Sequence, residues 1–170
     1  LSSWNTANVT NMKELFQSAD IFDGNISTWN VSKVTTMQRI FCAAPNFNRD
    51  ISSWDVSALT NTTEMFRAAD SFNQNISGWD VSGATDMTLM FSDADALSDA
   101  NKGLIHASFS SNSNWPYDWS AFVPNSAPVI TSYGGNTTAS VSVLENQTFA
   151  ADVNATDADG NETVSYVISG

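Results

Sequence analysis

Large apolar residues return along this chain at a fixed interval of 25. Trp4, Trp29, Trp54 and Trp79 mark the period, and Leu1, Ile26, Ile51 and Ile76 stand three residues before them. Val9, Val34, Leu59 and Ala84 follow, then Met12, Met37, Thr62 and Met87, then Leu15, Ile40, Met65 and Met90. Phe16, Phe41, Phe66 and Phe91 come next, followed by Ala19, Ala44, Ala69 and Ala94, and each unit closes on Phe22, Phe47, Phe72 or Leu97. A unit this short cannot enclose a core alone, so neighbouring units must bury one another's apolar faces. The positions in between predict the local elements. Trp54 to Ser57 reads as a turn, because the Asp55 side chain can accept from backbone N–H groups two or three residues on. Val34-Thr35-Thr36-Met37 alternates apolar with polar and predicts a short strand. Met65 to Ala69 predicts a helical turn, and Asn75-Ile76-Ser77 a second extended segment. Strand-built coils would stack at roughly 4.8 Å, with like side chains in ladders.

The pattern Ile-Ser-x-Trp-Asp-Val-Ser-x-x-Thr, continued by Met, Met-Phe, Ala and Phe-Asn at fixed offsets, is clearest from Ile51 to Asn73 and from Ile76 on. It resembles the BspA-like leucine-rich-repeat surface proteins of bacteria, over residues 1 to about 123. Thr62 and Ala84 depart from it, standing where that family has Met and Val. The resemblance implies an extracellular, repeat-built domain of a large bacterial surface protein, often linked to adhesion. The fold class expected is mainly β with short helical turns: a right-handed parallel leucine-rich-repeat-like solenoid. Its repeats would be residues 1–25, 26–50, 51–75 and 76–96, closed by a helical and aromatic cap over 97–123. Leu1 enters without a capping unit, which predicts a chain taken from a longer protein.

The period breaks after Phe91. Ser98 is placed to N-cap a helix running through Asn101 to His106, since its hydroxyl can satisfy a free N–H of the first turn. Phe109, Trp115, Tyr117, Trp119 and Phe122 form an aromatic cluster, read either as a lid over the last coil or as a sugar-stacking platform. Pro124 to Pro128 is a linker signal. Beyond it the texture is alternating: Ser140 to Leu144, Phe149 to Val153 and Val164 to Ile168. Leu144-Glu145-Asn146 and Ala155 to Asn161, followed by Tyr166, resemble a cadherin-like module of bacterial surface proteins. Residues 124–170 would then be a linker and a partial β-sandwich. Asp157, Asp159 and Asn161 place oxygen side chains on one turn, a partial calcium site or a simple Asp-Gly turn. The resemblance implies that Asp157 and Asp159 face the preceding junction and Glu145 the following one, so Glu145 would serve a different ion.

Eighteen acidic residues against six basic ones, a formal charge of −12, disfavour nucleic-acid phosphates and anionic membranes as partners. The single cysteine, Cys42, permits no internal disulfide and shares a variable, exposed-looking position with Gln17, Arg67 and Ser92. Nine Asn-x-Ser/Thr sequons occur, most of them where the repeat uses Asn and Ser in turns. No membrane-length apolar run is present.

No nucleophile–base pair, phosphate loop or zinc spacing is evident, which argues against an enzyme. Asp93, Asp95 and Asp99 cluster without a calcium-loop pattern. Asp20, Asp70 and Asp95 share one repeat position, and Asn5, Asn30, Asp55 and Asp80 another, as a cation ladder or as turn caps. The sequence therefore points to a non-enzymatic adhesion or recognition module that binds an extracellular protein or glycan through the repeat surface. Lys13, Gln38, Glu64 and Thr88 would tune its partner. The alternatives are a spacer in a surface stalk, and a binder of ice or crystalline polysaccharide through the ranks of threonine.

Overall fold

The computed structural model describes Leu1, residues 3–124, 129–130 and 155–156. It divides into two units, Leu1–Val123 and Pro124–Gly170. In the first unit the coils lie in parallel and like residues stack. Phe16, Phe41, Phe66 and Phe91 follow one another with ring centroids 5.8, 5.7 and 5.4 Å apart. Phe22, Phe47 and Phe72 run beside them at 5.8 and 6.1 Å. Trp4 lies on Trp29, and Trp54 on Trp79. The isoleucine, methionine and valine columns of the interior coils are fully or almost fully buried. The first coil is different, for Leu1, Trp4, Leu15 and Ile21 are exposed.

The mainly β expectation is not met. Between coils only isolated parallel bridges form, Asn11 to Thr36, Thr36 to Asn61 and Asn61 to Asp86. The coils are built from tight turns instead of strands. In the second coil the N–H groups of Trp29, Val34, Ile40, Cys42, Ala44 and Phe47 each donate to the carbonyl three residues earlier. Of the remaining N–H groups of the Met-to-Ala stretch, those of Met37, Arg39, Phe41 and Ala43 reach the next coil at Asn61, Thr63, Met65 and Arg67, and that of Gln38 turns back to the Thr36 hydroxyl. A strand would send alternate N–H groups to its two neighbours. Here one set is consumed by turns, so no ladder can form.

The turns leave a backbone signature. Glu14, Ser18, Arg39, Ala43, Glu64, Ala68, Leu89 and Asp93 all have positive φ, between 52° and 60°. Four of them, Glu14, Arg39, Glu64 and Leu89, recur every 25 residues, and the other four lie four residues later. In the turns Met12 to Leu15 and Phe16 to Ala19 the third residue is the one with positive φ, as a type II turn requires. The tryptophans tie the stack crosswise. The indole N–H of Trp54 donates to the Ile26 carbonyl at 3.2 Å and that of Trp79 to the Ile51 carbonyl at 3.1 Å.

The array closes on helix α1, Asp99–Phe109. Ser98 caps it, accepting from the Asn101 N–H at 3.3 Å as its position in the sequence suggested. The helix starts in register with the repeat. Asn48 and Asn73 donate through their N–H groups to Asp23 and Asn48 side chains, and Ser98 continues the column onto Asn73 Oδ1. Gly103 is buried where α1 crosses the 3₁₀ turn Ser120–Phe122, and a β-carbon there would run into the Phe122 carbonyl. Trp115, Tyr117 and Trp119 lie over Phe91, at 6.2, 6.2 and 5.6 Å between ring centroids. They end the phenylalanine column, which makes them a lid and not a free platform.

In the second unit the described residues form β1, Val129–Ile130, paired antiparallel with β2, Ala155–Thr156, Val129 opposite Thr156.

Candidate functional site

The coils present two unlike surfaces. On one side, in the third coil, Ser52, Ser53, Asp55, Ser57 and Thr60 are exposed between the buried Ile51, Trp54, Val56 and Leu59. Their equivalents make a face of short polar side chains. Its oxygens are largely committed to holding the backbone. Asn30, Asp55 and Asp80 each accept, through Oδ1, from the N–H two residues on, at 3.1, 3.2 and 3.0 Å. Asn25, Asp50 and Asn75 do the same for Ser27, Ser52 and Ser77. These bonds hold Asp55 and Asp80 below the usual carboxylate range, the serine side chain contributing most and its N–H next. The column of Asn5, Asn30, Asp55 and Asp80 is therefore one of turn caps. Threonine hydroxyls tie coil to coil, Thr35, Thr60 and Thr85 donating to the carbonyls of Thr10, Thr35 and Thr60 at 3.2, 3.0 and 3.1 Å.

The other surface carries a chain of charges across the turn ribbons. Arg39 donates to Glu64 at 2.7 Å and Arg67 does so at 3.0 Å. Arg39 also faces Glu14 at 3.8 Å, and Arg67 faces Asp93 at 3.9 Å. Glu64 is only 7% exposed. Its two arginines hold its carboxyl below the ordinary range. It is therefore committed to the fold and unavailable to a partner, unlike the exposed Lys13 and Thr88. Cys42, read as exposed, is buried beside this cluster, and burial pushes its thiol up. Its neighbours in the column are exposed because they are longer or more polar; the small, apolar thiol tucks under them.

His106 serves the lid. Its Nδ1 accepts from the Trp115 indole N–H at 3.1 Å and from the Trp119 N–H at 3.4 Å. Nδ1 is thus the ring atom turned toward the lid, as acceptor for both groups.

Asp157, Asp159, Asn161 and Glu145 lie outside the described residues. Among the described residues, Asp93, Asp95 and Asp99 do not come together as a group able to hold a metal ion. No helix there is long and apolar enough to cross a membrane.

Two recesses stand out among the described residues. One, of about 730 Å³, opens on the first coil between Leu1 and the Ala19 to Gly24 turn. The other, of about 340 Å³, lies where the fourth coil meets the end of α1, among Ser77, Gly78, Asp80, Ser82, Ser108 and Ser111. The second was not foreseen, although one signal was readable: Gly78 stands where the other coils carry Ser3, Thr28 and Ser53.

A sequence-family profile described as "Mycoplasma protein of unknown function, DUF285" matches residues 1–103, the coils and the start of α1. The chain belongs to the DUF285 family. No curated protein and no solved structure matches it. The DUF285 match spans the turn-ribbon scaffold, so the 25-residue period described above lies wholly within it.

Proposed function

We propose that this DUF285 chain is a non-enzymatic adhesion or recognition module at a bacterial cell surface, presenting its short-chain polar face to an extracellular protein or glycan. The observation that carries this reading is the pre-organisation of that face. Each coil offers short hydroxyl, amide or carboxylate side chains at equivalent positions, fixed by side-chain-to-backbone bonds two residues long and by threonine bonds between coils. A partner binding there meets groups whose ordering entropy is already spent, and side chains too short to lose much more. The resemblance to BspA-like surface proteins supports the same reading, as does an acidic surface suited to solubility outside a cell.

The test uses the purified 170-residue chain, immobilised and exposed to a glycan array and to extracellular-matrix proteins. Replacing Thr35 and Thr60 together by Arg places two bulky cations at the middle of the face. The expected result is binding by the parent and loss of it in the variant, with unchanged circular dichroism. Absence of binding to every glycan and protein, or binding indifferent to the double substitution, refutes the proposal.

A further inference from the structure

We infer that the recess between the fourth coil and the end of α1 is a subsite for a neutral sugar of monosaccharide size. The inference rests on the recognition reading above and gives it a ligand class. The recess has a volume of about 340 Å³, at the lower end of the range of small-molecule sites. Its wall is built for hydroxyl groups. Ser77, Ser82, Ser108 and Ser111 bring hydroxyls from two different elements, and Asp80 brings a carboxylate. Asp80 is oriented by Ser82, whose N–H donates at 3.0 Å and whose hydroxyl also stabilises the carboxylate, which leaves about two of the four lone-pair positions on its two oxygens. Ser77 has its hydroxyl to spare. Its counterpart Ser27 donates to Asn25 at 2.8 Å, whereas the Ser77 hydroxyl has no partner among the described residues.

Space is made by Gly78. Gly78 lines the recess, and a β-carbon there would meet nothing within 4 Å, so the position stands in open space and not against packed atoms. The preceding coils have Ser3, Thr28 and Ser53 at this position, and none of them lines this recess. Both contributions therefore occur together only at this junction. The choice of ligand follows from charge. The lining holds a carboxylate and no basic side chain, in a chain of formal charge −12. A neutral polyol can donate to Asp80 and exchange bonds with the serines, while an anionic sugar meets repulsion.

The experiment titrates the whole ¹⁵N-labelled chain with free glucose, galactose, mannose, N-acetylglucosamine and N-acetylgalactosamine, and separately with N-acetylneuraminic acid. At least one neutral sugar is expected to shift the amides of Ser77, Gly78, Ser82, Ser108 and Ser111 saturably. Gly78→Thr installs the residue the second coil already tolerates, and should weaken that binding at least about tenfold while the other amides keep their positions. Ser108→Ala with Ser111→Ala should weaken it roughly fivefold or more. Shifts absent for every neutral sugar, shifts indifferent to Gly78→Thr, or an equal response to N-acetylneuraminic acid overturn the subsite. Surface binding that Gly78→Thr leaves intact, but Thr35→Arg with Thr60→Arg abolishes, overturns the subsite and leaves the recognition reading standing.

Discussion

The phenolic oxygen of Tyr117 lies 2.8 Å from the backbone nitrogen of Phe91 and accepts its N–H. In the earlier coils the same N–H groups, those of Phe16, Phe41 and Phe66, donate to the carbonyls of Ile40, Met65 and Met90 in the coil that follows. Tyr117 thus stands in for a backbone carbonyl where no further coil lies. Asn112 supplies the complementary service, its side-chain amide donating to the carbonyls of Val81 and Ala84 at 2.8 and 2.9 Å. Tyr117→Phe keeps the ring over Phe91 and removes only the acceptor. We expect a loss of about 1–3 kcal/mol, the cost of a buried donor left unpaired, in urea unfolding followed by tryptophan fluorescence. An unchanged midpoint would show that the N–H finds water instead.

Gly103 and Gly78 make a matched pair of substitutions. At Gly103 an added methyl collides with the Phe122 carbonyl, which is backbone and cannot swing away. Gly103→Ala should cost about 3 kcal/mol or more despite the better helix propensity of alanine, because α1 must lift from the 3₁₀ turn. Gly78→Ala has open space around it and should fall within about 0.5 kcal/mol of the parent. Thermal unfolding of both variants is sufficient, and equal behaviour would contradict the close crossing.

Ala43 and Ala68 occupy left-handed backbone, at φ 53° and 52°. Alanine pays a steric penalty there that glycine does not. Ala68→Gly should therefore stabilise the chain by roughly 1 kcal/mol, reversing the usual sense of that exchange. A lower melting temperature for Ala68→Gly would mean that the turn geometry is not as described.

Much of this was readable in advance, and the part that was not has a physical cause. The stacked repeat followed from ladders of large apolar residues at one interval, and Ser98 as a helix cap from its hydroxyl ahead of the Asp99–Phe109 segment. The turn ribbon was missed because Val34-Thr35-Thr36-Met37 looks like alternation over four residues. A wider window shows a different rule: Ile26 and Trp29, Val31 and Val34, Met37 and Ile40, Phe41 and Ala44 are buried in pairs three apart. Those pairs are the first and last residues of hydrogen-bonded turns. Positive φ at Glu14, Arg39, Glu64 and Leu89 left no mark, since none of them is glycine or asparagine. Glu64 was read as available to a partner because a carboxylate is normally exposed, and of its two arginines only Arg67 is near in sequence, while Arg39 comes from the preceding coil.

Glu64 makes stability depend on pH with a definite sign. Hydrogen bonds from Arg39 and then Arg67 hold its carboxyl low in the folded chain. A carboxyl depressed on folding adds stability above its unfolded value, near 4.3, and that gain disappears as pH falls through the folded value. Glu64→Gln removes the titration and leaves both arginines without their partner. The parent should be the more stable at neutral pH, and its advantage should shrink on acidification below about pH 4.3. Denaturant melts at several pH values measure this, and a gap independent of pH would exclude the clamp as its source.

Cys42 should ignore thiol reagents in the native state. It is 7% exposed, and burial disfavours the thiolate that attacks. Labelling with a chromogenic disulfide is expected to track unfolding in urea, so that reactivity and loss of tryptophan signal share one midpoint. Rapid labelling without denaturant would place the thiol at the surface.

The backbone bonds between coils link positions 24 to 26 residues apart, so their geometry depends on an unbroken count. Such a scaffold tolerates change in whole units only. Copying or deleting one coil presents every column with an equivalent partner and leaves the lid on Phe91 undisturbed. Gaining or losing a single residue shifts all columns on one side of the lesion at once. Variation in length is therefore quantised: array length can change by whole coils, while point substitutions inside a column, such as Thr62 and Ala84, keep the count intact.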